Sequence, residues 1–130
     1  MLGESGLTKL EREMIAVTVS SENHCFYCLV AHGSAVRELS DDPQLGERIA
    51  ANFKSAELPR KQEELLNFAR QLTRDPSEIG EDQRKRLKDV GYTDRDIWDI
   101  SAIVGLFNMT NRLASATEME PNSKYHNIAR

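Results

Sequence analysis

Cys25-Phe26-Tyr27-Cys28 is a C-x-x-C motif, and His32 follows its second cysteine by four residues. Positions i, i+3 and i+7 share one face of a helix, so a helix starting near Cys25 lines up two thiols and an imidazole in a single row. A Cys25 in the first turn meets unpaired backbone N–H groups and the positive end of the helix dipole, both of which favour a thiolate. His32, one turn beyond Cys28, is placed to exchange a proton with the Cys28 sulfur. Upstream, Glu13 falls three residues after Leu10 and four before Val17, on the apolar face of another helix. A carboxylate there is costly without a partner, and the thiol–imidazole row would supply one.

By themselves these residue types fit redox chemistry, a metal site or inert buried thiols. Zinc needs four ligands, and only His24 and His126 remain to join the two cysteines and His32, without the spacing of a structural site. Inert thiols give Glu13 no role.

The elements that must position these residues all carry the helical period, and the expected fold is all-α with about six helices and the C-x-x-C at the N-terminus of the second. Thr8 with Glu11 reads as a capping box opening the first helix, apolar almost all round from Met14 to Val19. Ser20 to His24 reads as capping residues before a second helix, which starts between Asn23 and Cys25 and runs to about Leu39. Asp42-Pro43 opens a short third helix through Leu45, Ile49 and Phe53. A fourth spans about 60–72, with Leu65, Phe68, Ala69 and Leu72 as its stripe. A charged fifth runs from Glu81 to Val90 and closes at Gly91. Thr93 with Asp96 caps a long sixth helix, apolar on several faces. Trp98, Ile100, Val104 and Phe107 read as core or subunit interface rather than pocket lining, and Asn108, Asn111 and Arg112 as a solvated end. The chain reads as a single domain over 1–130, with 117–130 a loose tail or an arm on a neighbour.

The composition narrows the function. Of 130 residues, 39% are hydrophobic and 29% charged, ordinary for a soluble domain with a core of its own. Seventeen Lys and Arg against 21 Asp and Glu give a net charge of −4, with no basic run of the kind nucleic acid binds. Two cysteines cannot build a disulfide scaffold. No secretory leader pattern or membrane-length apolar stretch occurs, so the expected compartment is the reducing cytoplasm, with no nucleic-acid or membrane partner.

The run from Glu13, twelve positions before Cys25, through Cys25-x-x-Cys28-x-x-x-His32 resembles the active-site motif of AhpD-like alkylhydroperoxidases of the carboxymuconolactone decarboxylase superfamily. The stretch from Leu7 to Gly33 is most similar to the peroxidase-related branch, including Ser20, Asn23 and Tyr27. Tyr27 is a departure, because the founding peroxidase has a histidine there. The superfamily's decarboxylases lack the cysteine pair, which makes lactone decarboxylation the weakest reading. The resemblance implies a thiol-dependent peroxidase or disulfide oxidoreductase for small organic hydroperoxides, with no cofactor. It implies that Cys28 is the peroxidatic cysteine, that Cys25 resolves it, and that Glu13 and His32 relay protons. It further implies an external dithiol or lipoyl-bearing protein as reductant and a trimeric or hexameric homo-oligomer. The competing expectations are a non-enzymatic redox-sensing module and a metal-binding domain.

Overall fold

A computed structural model describes residues 5–130; the first four residues of the stretch read as lacking a leader lie outside it. Among the described residues every regular element is helical: α1 Lys9–Glu22, α2 Phe26–Ser40, α3 Leu45–Asn52, α4 Arg60–Arg74, α5 Glu81–Asp89 and α6 Asp94–Ala116. Short 3-10 turns follow α3 and α4, and another spans Ser123–His126.

The first helix is the centre of the bundle. Thr8 Oγ1 accepts from the Glu11 N–H and Glu11 Oε1 accepts from the Thr8 N–H, so the capping box forms as its spacing predicts. From Met14 to Val19 every side chain is buried. A helix apolar all round must be covered all round, and α2, α3, α4 and α6 all pack on it. The largest covering helix, α6, inserts Ile97, Ile100, Ile103, Val104 and Phe107. By contrast α5 buries only Leu87. It ends at Gly91, whose φ of +107° is a conformation that a side chain would strain, and the chain turns there into the second capping box, Thr93 with Asp96.

Two boundaries differ from expectation, each for a local reason. Ser20 to Glu22 continue α1 instead of capping α2. The Ser20 hydroxyl and Asn23 amide find partners on α6, so neither competes for the backbone. The third helix starts at Leu45, because Asp42 Oδ1 is engaged in a turn, accepting from the Gln44 N–H at 2.9 Å. Helices α2 and α3 then touch backbone to backbone: a Cβ on Gly46 would stand 2.9 Å from the Gly33 carbonyl oxygen.

The segment 117–130, expected as a loose tail, folds back on its own chain. Arg37 is buried in α2 and donates to the carbonyls of Tyr125 at 2.7 Å and Ile128 at 2.9 Å. Arg130 pairs with Glu47 of α3. A buried guanidinium needs acceptors, and the tail's carbonyls provide them. Trp98 is not core: it is 72% exposed, while Ile100, Val104 and Phe107 are buried. Among the described residues no helix is long and apolar enough to cross a membrane.

Candidate active site

The junction between α1 and α2 sets the first cysteine in place. The helix ends in a Schellman motif: the Cys25 N–H bonds the Ser20 carbonyl at 3.0 Å and the His24 N–H bonds that of Ser21 at 3.2 Å. The left-handed position that glycine usually takes is filled by His24, with φ 52°. The turn leaves Cys25 as the N-cap of α2, one residue before the first turn where the spacing had placed it, and Cys28 becomes the third helical residue. Their sulfurs are 2.8 Å apart, both are free thiols, and both are buried, at 1% and 3% exposure.

One turn further along, His32 Nδ1 lies 2.6 Å from Glu13 Oε2. The carboxylate that looked misplaced on α1 thus has its partner across the α1–α2 contact, partly open to solvent. Phe107 of α6 meets the His32 ring edge-on, at 4.7 Å between centroids and 76° between planes, which fixes the imidazole's tilt. All four sequence-singled residues, Glu13, Cys25, Cys28 and His32, therefore gather where α1, α2 and α6 meet.

Asn111, expected at a solvated helix end, is 1% exposed, donates to Ser20 Oγ at 3.0 Å, and with Ser20 favours the thiolate of Cys28. A signal existed: Ile100, Val104, Phe107, Asn111 and Ala114 form one buried row at helical spacing, so the polar residue continues the core face. What the spacing could not supply is its partner, 91 residues away at the end of α1.

The Cys28 thiol is pushed up to about 11, chiefly by burial and then by its hydrogen bond with Cys25, while Asn111 and Ser20 pull it down. At neutral pH Cys28 is a thiol, so a base must generate its thiolate. One consequence is measurable. An unfolded chain loses this proton near pH 9 and the folded one near 11, so the group's contribution to stability is complete below pH 9 and lost on the way to 11. The melting temperature of the reduced protein should fall by about 5 °C more than that of the disulfide form across this window. Equal slopes would contradict the burial argument. Tyr92, held protonated by burial and by donating to Glu11, acts with the same sign in both forms and cancels from the comparison.

A cleft of about 340 Å³ opens between the start of α2 and the end of α6, with Cys25, Tyr27, Ala114 and Met119 in its walls. A larger groove of about 580 Å³ between α4 and α6 does not include the cysteines. Among the described residues no three His, Cys, Asp or Glu side chains converge as ligands of one metal ion.

Comparison with known proteins places this arrangement. The carboxymuconolactone decarboxylase family model matches residues 1–55, which hold Glu13, both cysteines and His32. The crystal structure of an uncharacterized peroxidase-related protein from Silicibacter sp. TM1040 is 60% identical over 100% of this chain and 68% of that one, with a TM-score of 0.98. The chain belongs to this family. Within the carboxymuconolactone decarboxylase family it stands with AhpD-like, peroxidase-related proteins, as a second match reinforces: an AhpD-core, uncharacterized peroxidase-related protein from Ralstonia eutropha JMP134 is 39% identical over 100% of this chain and 68% of that one, with a TM-score of 0.97. No curated protein sequence matches the chain.

Proposed function

We propose that the protein is a thiol-dependent peroxidase that reduces small organic hydroperoxides in the cytoplasm as part of antioxidant defence. The observation that carries this reading is the pairing of two thiols 2.8 Å apart with a His32–Glu13 contact of 2.6 Å one helical turn away. Glu13 and His32 draw the proton from Cys28. The thiolate attacks one peroxide oxygen, the O–O bond breaks, Cys28 becomes a sulfenic acid, and the departing alkoxide takes a proton from the relay to leave as alcohol. Cys25 then attacks the sulfenic sulfur, forming the disulfide and releasing water. An external dithiol or lipoyl-bearing protein returns both thiols to the reduced state and leaves as its own disulfide. Steady consumption of an alkyl hydroperoxide, one dithiol oxidised per peroxide, is the expected result. Consumption that stops after one equivalent, with dithiol present, would refute enzymatic turnover.

The working form is proposed to be a homo-oligomer, a trimer or hexamer. Trp98, Met109 and Leu113 stand 72%, 55% and 56% exposed at helical spacing on α6, an apolar stripe that a second copy would cover. Light scattering should report three or six chains for the native protein and one for Met109→Glu. A native monomer would refute the assembly.

A further inference from the structure

Both cysteines are almost fully buried, but they stand differently towards the cleft between α2 and α6. Cys25 forms part of the wall of the cleft between α2 and α6; Cys28 does not. The cleft's other walls include the side chains of Phe26, Tyr27 and Met119, of which Met119 is 45% exposed. Cys28 is instead surrounded by hydrogen-bond donors whose direction is fixed. Asn23 Nδ2 donates to Asn111 Oδ1 and to Asn108 Oδ1, each at 2.9 Å. With its oxygen so engaged, Asn111 turns its amide N–H groups towards Ser20 Oγ, at 3.0 Å, and the Cys28 sulfur. Ser20 accepts from Asn111 and so keeps its own proton for that sulfur.

We infer that the reducing dithiol enters through this cleft and attacks Cys25 Sγ, and that Ser20 and Asn111 receive the departing Cys28 thiolate. This rests on the proposed cycling of the pair through a disulfide. In the first exchange a thiolate of the reductant bonds to Cys25 Sγ, the Cys25–Cys28 bond breaks, and its electron pair leaves on Cys28. In the second, the reductant's other thiolate attacks the reductant sulfur of this mixed disulfide and expels Cys25, so that the reductant departs oxidised. Burial raises the proton affinity of the departing Cys28 sulfur and so opposes its leaving; Ser20 and Asn111 offset part of that cost, while the cleft, which reaches Cys25 alone, selects the sulfur that is attacked. Ser20 and Asn111 are the polar groups that favour the Cys28 thiolate, and Asn23 is a positioning residue that sets the sense of the Asn111 amide.

The cleft carries ionisable groups of its own, His24, Tyr27, Glu118 and Glu120. On its own helix Cys28 faces Cys25 and His32, with Glu13 of α1 beyond His32, whereas α6 and the end of α1 present the neutral Asn111 and Ser20.

The test oxidises the full-length wild-type protein with diamide and adds a monothiol, 2-mercaptoethanol, which stalls at the first exchange. After acid quench and alkylation, fragmentation mass spectrometry should find the adduct on Cys25 and the alkyl group on Cys28; the reverse assignment overturns the proposal. The disulfide here is made chemically, so a protein that fails to turn over peroxide still gives a clear answer. In a second arm, Ser20→Ala should raise the Cys28 titration midpoint by about one pH unit and slow reduction roughly threefold. Ser20→Thr, which keeps the hydroxyl, should retain much of the native midpoint. A Ser20→Ala midpoint equal to the wild type removes the cradle from the proposal.

Discussion

A Cys28→Ser protein should consume alkyl hydroperoxide no faster than solvent does, a loss of roughly a thousandfold or more. Serine keeps the geometry, but a hydroxyl cannot form the sulfenic acid that carries the oxygen away, so no positioning by neighbours compensates. The Cys25→Ser protein should behave differently. Its Cys28 can still react once, giving one equivalent of alcohol per chain and a sulfenic acid that a dimedone probe traps, but it lacks the thiol 2.8 Å away that closes the cycle. Product analysis of both variants separates the roles. A burst from Cys28→Ser with silence from Cys25→Ser would exchange them and sink the assignment of Cys28 as the peroxidatic residue.

The second large effect is expected at Glu13. Its carboxylate contacts His32 at 2.6 Å, and in the proposed relay it is the acceptor end of the path that removes the Cys28 proton. Glu13→Gln keeps a similar shape but cannot take up that proton, and kcat/KM at neutral pH should drop by about a hundredfold, the scale of general acid–base assistance. The deficit should shrink as pH rises. Cys28 ionises near 11, so every unit of alkalinity supplies about tenfold more thiolate without help, and the variant should gain on the wild type up to that pH. Glutamine that merely disturbed packing would lower activity at every pH alike. A constant ratio from pH 7 to 10 would therefore dismiss the relay.

Much of this arrangement could be read from residue spacing. The buried centre of α1 announces itself because Met14 to Val19 has no polar face, and the thiol–imidazole row follows from intervals of three and four once a helix start is placed near Cys25. Glu13 stands out for the converse reason, as a charge with an apolar address. What escaped such reasoning depends on contacts between distant segments. Asn111 looks like any polar residue near a helix end until Ser20 and Asn23 arrive beside it, and those two look like caps for α2 until α6 claims their side chains. The Cys28 thiol shows the same limit: its place one turn after Cys25 is visible in the sequence, but the burial that raises its proton affinity is the work of the whole bundle. Arg37 reads as one more charge on α2, and only the docked tail explains why it is buried.

The position of Cys25 as the cap of the helix that carries Cys28 confines the redox event to a single turn. A bond closed between neighbours so near in the chain ties no two helices together and removes less freedom from the unfolded chain than a long-range bridge would. Both oxidation states should therefore present the same outer surface to every partner except one that looks into the cleft. On the proposed cycle, the molecule holds or gives up a pair of electrons without announcing it. That discretion suits a device meant to be emptied and refilled many times rather than one meant to report.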